Sequence, residues 1–245
     1  MVKLFRKIKV SIQLLTHPQL QGTWNALFTV VFSTKKTIRV QYKGKQIIMP
    51  ATTVSLGSIN EIFIEKAYGR LQTKGTKVLD LGAYIGDTAT YFVAEGAACV
   101  ESYEPNRYNY NYLKKNTVQY SQVKAYQKAV TANKEKKFMN HQNISLSSST
   151  NTSSGDVVDT ARWKTIIQKK FDILKMDIEG GEYEIIEEVL TTKQFPFLEG
   201  CIEFHPRNQQ HDKLYNRFEN FLKKKYNLAI EVKENGLFLL FFHKK

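Results

Sequence analysis

Three short stretches hold the side chains that could do chemistry: Asp80-Leu81-Gly82-Ala83-Tyr84-Ile85-Gly86-Asp87, Asp177-Ile178-Glu179-Gly180 and Glu203-Phe204-His205. In the first, Gly82 and Gly86 would let backbone amides approach a bound nucleotide-like ligand, and the free N–H groups of a following helix would add donors. A pyrophosphate loop reads G-x-G-x-x-G, whereas here the glycines stand between Asp80 and Asp87, and acidic neighbours disfavour phosphate. They suit a ligand carrying a sulfonium and an ammonium, the two charges of S-adenosylmethionine. Glu104 follows the glycine loop by about 20 residues, the distance at which an acidic side chain accepts both ribose hydroxyls. The cofactor residues expected here are Asp80, Gly82, Ala83, Tyr84, Gly86, Asp87 and Glu104.

The other two stretches could move a proton. Asp177 is expected to orient the cofactor's methionine end or an acceptor, and so belongs to both groups. Glu179 would line the acceptor pocket. His205 titrates near neutral pH and is the candidate base for a hydroxyl proton, a role typically worth about 10²- to 10⁴-fold in rate. A plainer reading competes with each. Glu179 and Glu182 could simply stabilise the positive end of the next helix, at about 1 kcal/mol each, and His205 could be a surface residue that stops a strand before Pro206. Lys175 should share a strand face with Asp177 and could pair with it. Asp177, Glu179, Glu203 and His205 make an oxygen-rich set that a divalent cation could use, but the spacing matches no metal motif and no metal is expected.

These residues need a scaffold that gathers strand ends. From Thr76 onward, short apolar runs alternate with amphipathic ones, the pattern of βαβ units and a largely parallel sheet. Strands are predicted at 77–81, 98–103, 123–126, 171–177 and 200–204. Helices are predicted at about 87–95, 106–115 and 181–191, around Trp163, Ile166 and Ile167, and on the stripe Leu214, Phe218, Phe221 and Leu222. Gly96 stands where a left-handed helix cap is wanted. Leu228–Val232 and Leu237–Phe241 close the chain as a hairpin around Glu234-Asn235-Gly236. Five parallel strands and a closing antiparallel hairpin make an α/β, Rossmann-like doubly wound sheet with the strand count of the class I methyltransferases. By analogy with that fold, adenine would lie near Gln127-Lys128-Ala129-Val130, adding Ala129 to the cofactor residues.

Residues 1–52 read as an N-terminal extension with a helical segment and a small hairpin, Thr37–Tyr42 and Gln46–Met49, and residues 53–245 as the catalytic domain. Ser58-Ile59-Asn60-Glu61 fits a capping box with a helix through Leu71 behind it. Met139 to Asp156 is Ser-, Thr- and Asn-rich and reads as a long loop.

Composition narrows the class. The 245 residues are 42% hydrophobic and 24% charged, near the averages for soluble globular proteins. The longest apolar run, Ala26–Phe32, is far short of the roughly 20 residues that span a bilayer. The N-terminus interleaves charge with apolar residues and lacks a small-residue cleavage site, so a signal peptide is not expected. Cys99 and Cys201 sit in strand-like runs, which suits buried thiols and a cytoplasmic setting. The net charge of +13, from 36 Lys and Arg against 23 Asp and Glu, would attract nucleic acid, anionic lipid or an acidic substrate, although lysines spread along the whole chain are also what composition bias produces.

Val78–Thr88 together with Phe171–Glu182 resembles the FkbM-type methyltransferases, the second stretch matching their K-[IM]-D-[VI]-E-G signature at Lys175–Gly180. Ile202-Glu203-Phe204-His205 resembles that family's E-x-H element. The likeness covers about Ser58 to His205. It implies a class I fold, S-adenosylmethionine as cofactor, and methylation of a hydroxyl on a small molecule, glycan or glycolipid. Two other functions compete: an RNA or tRNA methyltransferase, favoured by the charge, and a non-catalytic module that binds cofactor, membrane or partner, favoured by basic and apolar residues between Val2 and Leu15. Amino methyltransferases of bases commonly carry Asn or Asp followed by Pro-Pro after the fourth strand, and this chain has Asp177-Ile178-Glu179-Gly180 there. A lipid-linked acceptor would combine catalysis with peripheral membrane contact.

Overall fold

A computed structural model describes residues 17–132, 137–139, 156–206, 208–233 and 236–245. The basic stretch Val2–Leu15, the interior of the Ser- and Thr-rich loop, and Glu234 and Asn235 of the closing turn lie outside the described residues. The first described strands are β1 (Leu20–Gln21), β2 (Thr37–Tyr42) and β3 (Lys45–Pro50), a small antiparallel sheet. Its hairpin is the one the alternation predicts. The helix Thr23–Phe32 lies between β1 and β2. No described helix is long and apolar enough to cross a membrane.

Next come β4 (Lys77–Leu81), β5 (Cys99–Tyr103), β6 (Val123–Tyr126), β7 (Ala129–Thr131), β8 (Lys137–Met139), β9 (Asp156–Val158), β10 (Thr160–Arg162), β11 (Ile173–Met176), β12 (Glu199–Phe204), β13 (Tyr226–Val232) and β14 (Phe238–Lys244). The main sheet runs β13-β14-β12-β11-β4-β5-β6, with β14 antiparallel to both neighbours and the other pairings parallel. Helices Asp87–Ala94, Arg107–Thr117, Glu182–Thr192 and Gln209–Lys223 connect these strands. The predicted helix at Trp163 is one α-turn, Trp163–Ile166, running into a 3₁₀ turn. This is the doubly wound α/β sheet with a closing antiparallel hairpin that the alternation predicts.

Side chains alternate across a sheet with period two, and this parity sorts the core. Val78, Val100, Ile173 and Cys201 enter one apolar layer, while Leu79, Leu81, Leu174, Met176 and Ile202 enter the other. By the same parity Asp80, Ser102 and Lys175 face the first layer. Strand register sets them side by side, since Lys175 pairs with Asp80 and Asp80 with Ser102. A polar row is thus built into the buried sheet just below its carboxyl edge.

The N-terminal hairpin packs on that first layer, burying Tyr42, Ile47 and Met49 in the same cluster as Tyr91 and Phe92. Asn116 fastens it. Its Oδ1 accepts the Ile48 N–H at 2.8 Å, and its Nδ2 donates to the carbonyls of Ile48 at 2.9 Å and Ile85 at 2.8 Å.

One helix boundary differs from expectation. The helix begins at Thr53, capped by Thr52, whose Oγ1 accepts the Ser55 N–H at 3.2 Å. It continues as a π-turn, Asn60–Ile64, and stops before Lys66, which is left-handed at φ 53°. Ser58 is no cap: its hydroxyl donates to the buried carboxylate of Asp87. A capping-box sequence pattern and a buried tertiary hydrogen bond use the same residue types.

Candidate cofactor and acceptor site

The strand order reverses between β4 and β11, and in open α/β sheets ligands bind at such a switch point, beyond the carboxyl ends of the strands. Gly82, Glu104, Asp177 and His205 each follow directly on β4, β5, β11 and β12. Gly82, Glu104 and Asp177 line one cleft, and His205 stands beside it, its Nε2 3.8 Å from Asp177.

Gly82 is left-handed at φ 77°, and a Cβ there would stand 1.7 Å from the Asp177 carbonyl oxygen. Only glycine lets the loop cross this close to the end of β11. The N–H groups of Gly82 and Ala83 both donate to the Tyr103 carbonyl, at 3.0 and 3.1 Å. Tyr84 is also left-handed, at φ 47°, and its N–H donates to Glu104 Oε2 at 2.9 Å. Glu104 Oε1 accepts the Asn106 N–H at 2.8 Å. Glu104 therefore ties the glycine loop to the start of the next helix, whose own cap is Asn106. Burial pushes its carboxyl up to about 8, against the pull of those two N–H groups.

Of the cofactor residues expected from sequence, Gly82, Tyr84, Glu104, Ala129 and Asp177 line the cleft. Asp80, Ala83, Gly86 and Asp87 are not among its walls. Asp80 lies beneath the loop, wholly buried, accepting from Thr88 Oγ1 at 2.8 Å and Ser102 Oγ at 3.2 Å. Asp87 is buried at the start of its helix, and burial raises it to about 6. Gly86, at φ 84°, precedes that helix. These four shape the loop from below. Lys175 reaches Asp177 as its strand face predicts, but has nearer partners. Its Nζ donates to the Gly82 carbonyl at 2.6 Å and lies 3.5 Å from Asp80, while Asp177 is 4.0 Å away. Burial opposes its charge, but Asp80 and Asp177 more than compensate, so the ammonium persists under the loop.

On the other side of the switch point, His205 Nδ1–H and the His205 backbone N–H both donate to Glu182 Oε1, at 2.7 and 3.0 Å. Glu182 Oε2 accepts the Gly180 N–H at 2.7 Å, and the side chain is wholly buried. His205 Nε2 then faces Glu179 at 3.4 Å and Asp177 at 3.8 Å. Glu179 is left-handed at φ 55°. Burial raises its carboxyl to about 7, with Asp177 adding to the shift and His205 opposing it. Burial lowers His205, but the bond to Glu182 and the nearby carboxylates outweigh it and raise the ring to about 9. The expected free base is therefore a ring that Glu182 keeps protonated at neutral pH. Glu203, grouped with these residues in sequence, is held elsewhere: both its oxygens lie 2.8 Å from Lys233 Nζ.

Sequence reasoning missed two parts of the site. Glu182 reads as a helix-terminal charge, and only the β11–β12 register shows that it carries His205. Asn109 lines the cleft without a motif to announce it.

The residues present fit the expected cofactor. A carboxylate for a ribose diol (Glu104) and one for an ammonium or sulfonium (Asp177) border one cleft, and Tyr84, Val130 and Ile178 give it apolar wall for a base.

A family model described as the methyltransferase FkbM domain matches residues 80–228. Among solved structures, a methyltransferase FkbM from Methylobacillus flagellatus KT is similar at TM-score 0.51 and 19% identity, over 71% of this chain and 45% of that one. The chain thus spans less than half the length of that protein. M. jannaschii TYW2 in complex with AdoMet is similar at TM-score 0.47 and 15% identity, over 88% of this chain and 90% of that one. M. capricolum TrmK in complex with S-adenosyl-homocysteine is similar at TM-score 0.43 and 11% identity, over 74% and 67%. No curated protein matches the chain.

Proposed function

Since the chain belongs to the FkbM methyltransferase family, we propose that it moves a methyl group from S-adenosylmethionine to a hydroxyl of a small molecule, glycan or lipid-linked acceptor. The observation that carries this reading is the gathering of Asp177, Glu179 and His205 at two adjacent strand exits beside the cofactor cleft. An amine already offers a lone pair and needs mainly positioning, whereas a hydroxyl must also lose a proton. Three polar groups within reach of one another suit the second task. Asp177-Ile178-Glu179-Gly180, in place of a Pro-Pro motif, points away from base methylation.

S-adenosylmethionine, when bound, supplies an electrophilic methyl group on a sulfonium. The chain's part is to hold both reactants. Glu104 is positioned to accept ribose hydroxyls, because each carboxylate oxygen already takes one backbone N–H and keeps a further lone pair. Asp177 borders both halves of the cleft and would face the cofactor's positive end.

One surface supports a lipid-linked acceptor and work at a cytoplasmic membrane face. The helix Thr23–Phe32 leaves Trp24, Phe28, Val31 and Phe32 exposed at helical spacing. An apolar face with Trp and Phe on a chain of net charge +13 suits an anionic bilayer. Vesicle flotation checks it: Trp24→Ser with Phe28→Ser should abolish flotation with anionic lipid, and unchanged flotation would remove the membrane from the proposal.

The cofactor reading is tested by calorimetric titration with S-adenosylmethionine and its demethylated product, on wild type and Glu104→Ala. Saturable binding that the variant loses is expected. Transfer of labelled methyl is then followed across hydroxylated glycans and lipids, with RNA as the control. A folded wild type that binds no cofactor, or that labels RNA alone, would overturn the proposal.

A further inference from the structure

We infer that Asp177, Glu179 and His205 form a binding site for a divalent cation of the Mn²⁺ or Mg²⁺ class, open on the cleft side to an acceptor oxygen. One ligand atom from each lies within 4.8 Å of the other two. Six-coordinate cations of this class hold oxygen ligands at about 2.1 Å, which sets neighbouring ligands about 3 Å apart. His205 Nε2 stands 3.4 Å from Glu179 and 3.8 Å from Asp177. Shifts of less than about 1 Å would bring each of these two pairs to that spacing.

The second observation lies behind the ring. Metal-ligating histidines give their other nitrogen's N–H to a carboxylate, which fixes tautomer and orientation. Glu182 does this for His205 at 2.7 Å, and the imidazole is nine-tenths buried with Nε2 turned to the two carboxylates. Cation binding at Nε2 would displace the proton that faces the two carboxylates, while Nδ1–H stays on Glu182. The donor set selects the class of ion: two carboxylates and one imidazole, with no thiolate, favour Mn²⁺ or Mg²⁺ over Zn²⁺ held by sulfur, and three protein ligands leave positions for water and substrate.

The use of the ion rests on the proposed hydroxyl methylation; its binding does not. A hydroxyl bound to the cation becomes more acidic and releases its proton to solvent, so the oxygen is presented as an alkoxide. Acceptors with a second oxygen next to the reacting hydroxyl, such as a sugar diol, would chelate the ion and be preferred.

The test uses the whole chain and Mn²⁺ alone, followed by the loss of the free-ion electron paramagnetic resonance signal. One Mn²⁺ per chain is expected. Asp177→Asn or His205→Gln should weaken binding by more than about tenfold and Glu182→Gln by roughly tenfold, the effect of removing an outer-shell carboxylate, with folding verified by circular dichroism. Absence of saturable binding by wild type, or binding retained by an Asp177→Asn, Glu179→Gln double variant, overturns the site. Chelator-treated protein that binds cofactor normally, transfers methyl only when Mn²⁺ or Mg²⁺ is returned, and prefers diols supports its role. Full transfer without any cation overturns that role. Mn²⁺ binding with no transfer to any hydroxyl leaves the site standing and overturns the function proposed above.

Discussion

On one side of the cleft the chain presents backbone. Gly82, Ala83 and Tyr84 are held by the Tyr103 carbonyl and the Glu104 carboxylate, and Lys175 and Asp80 support the loop from below. On the other side it presents side chains. Asp177 and Glu179 are 28% and 21% exposed, Glu179 is in a strained left-handed conformation, and its neighbours are mostly like charges. The first half ties its loop down by hydrogen bonds to backbone and buried side chains; the second gathers carboxylates that repel one another around one histidine. A fixed cofactor and a variable acceptor make those different demands. Rigidity and stability should therefore reside on the cofactor side, and strain on the acceptor side.

Breaking the first half should unfold as well as inactivate. Lys175→Met leaves Asp80 buried without its cation, a loss of about 4 kcal/mol, and thermal denaturation should fall by roughly 10 °C. A midpoint within 2 °C of wild type, about the effect of half a kcal/mol, would show that the lysine is dispensable. Gly82→Ala adds a methyl against the Asp177 carbonyl at positive φ, for about 3 kcal/mol, and should abolish cofactor binding by calorimetry. The second half should behave in the opposite way. Glu179→Gly relieves the left-handed conformation, so stability should hold or rise by up to about 1 kcal/mol while methyl transfer collapses. A clear fall in denaturant midpoint would contradict the division.

A pH dependence is expected at Glu104. Its carboxyl is near 8 in the folded chain and near 4.3 when unfolded, so between these values the folded state binds the extra proton. Its contribution to stability is therefore complete below the unfolded value and is lost as pH rises through about 8. Cofactor affinity should move the other way, tightening over the same window as the carboxylate forms to accept ribose hydroxyls. Glu104→Gln should flatten both curves, and a wild-type affinity that does not change between pH 6 and pH 9, values chosen to bracket that of Glu104, would exclude it as the ribose ligand.

The same contrast explains what was legible in the sequence. The glycine loop is contiguous, and Glu104 follows it at the end of the adjacent strand, so local pattern sufficed to find them. Strand parity correctly set Lys175 on the face of Asp177. Parity does not choose among neighbours on that face, and register supplies nearer partners in Asp80 and the Gly82 carbonyl. The pairing of Glu182 with His205 depends on where the helix after β11 meets the end of β12, a long-range relation that no local spacing encodes. Ser58 misled for a related reason: its neighbours spell a cap, but Asp87, distant in sequence, takes its hydroxyl.

Asn116 carries a consequence for how this protein could be shortened or recombined. Its three bonds sew the hairpin at Ile48 to the turn at Ile85, just ahead of the cofactor helix. A chain cut at residue 80, where the family likeness starts, would lose β4's first residues, orphan a buried amide and strip the apolar cover from Tyr91 and Phe92. The first residue of the recognisable family segment marks where ancestry can be read, and the smallest heritable folding unit begins well before it.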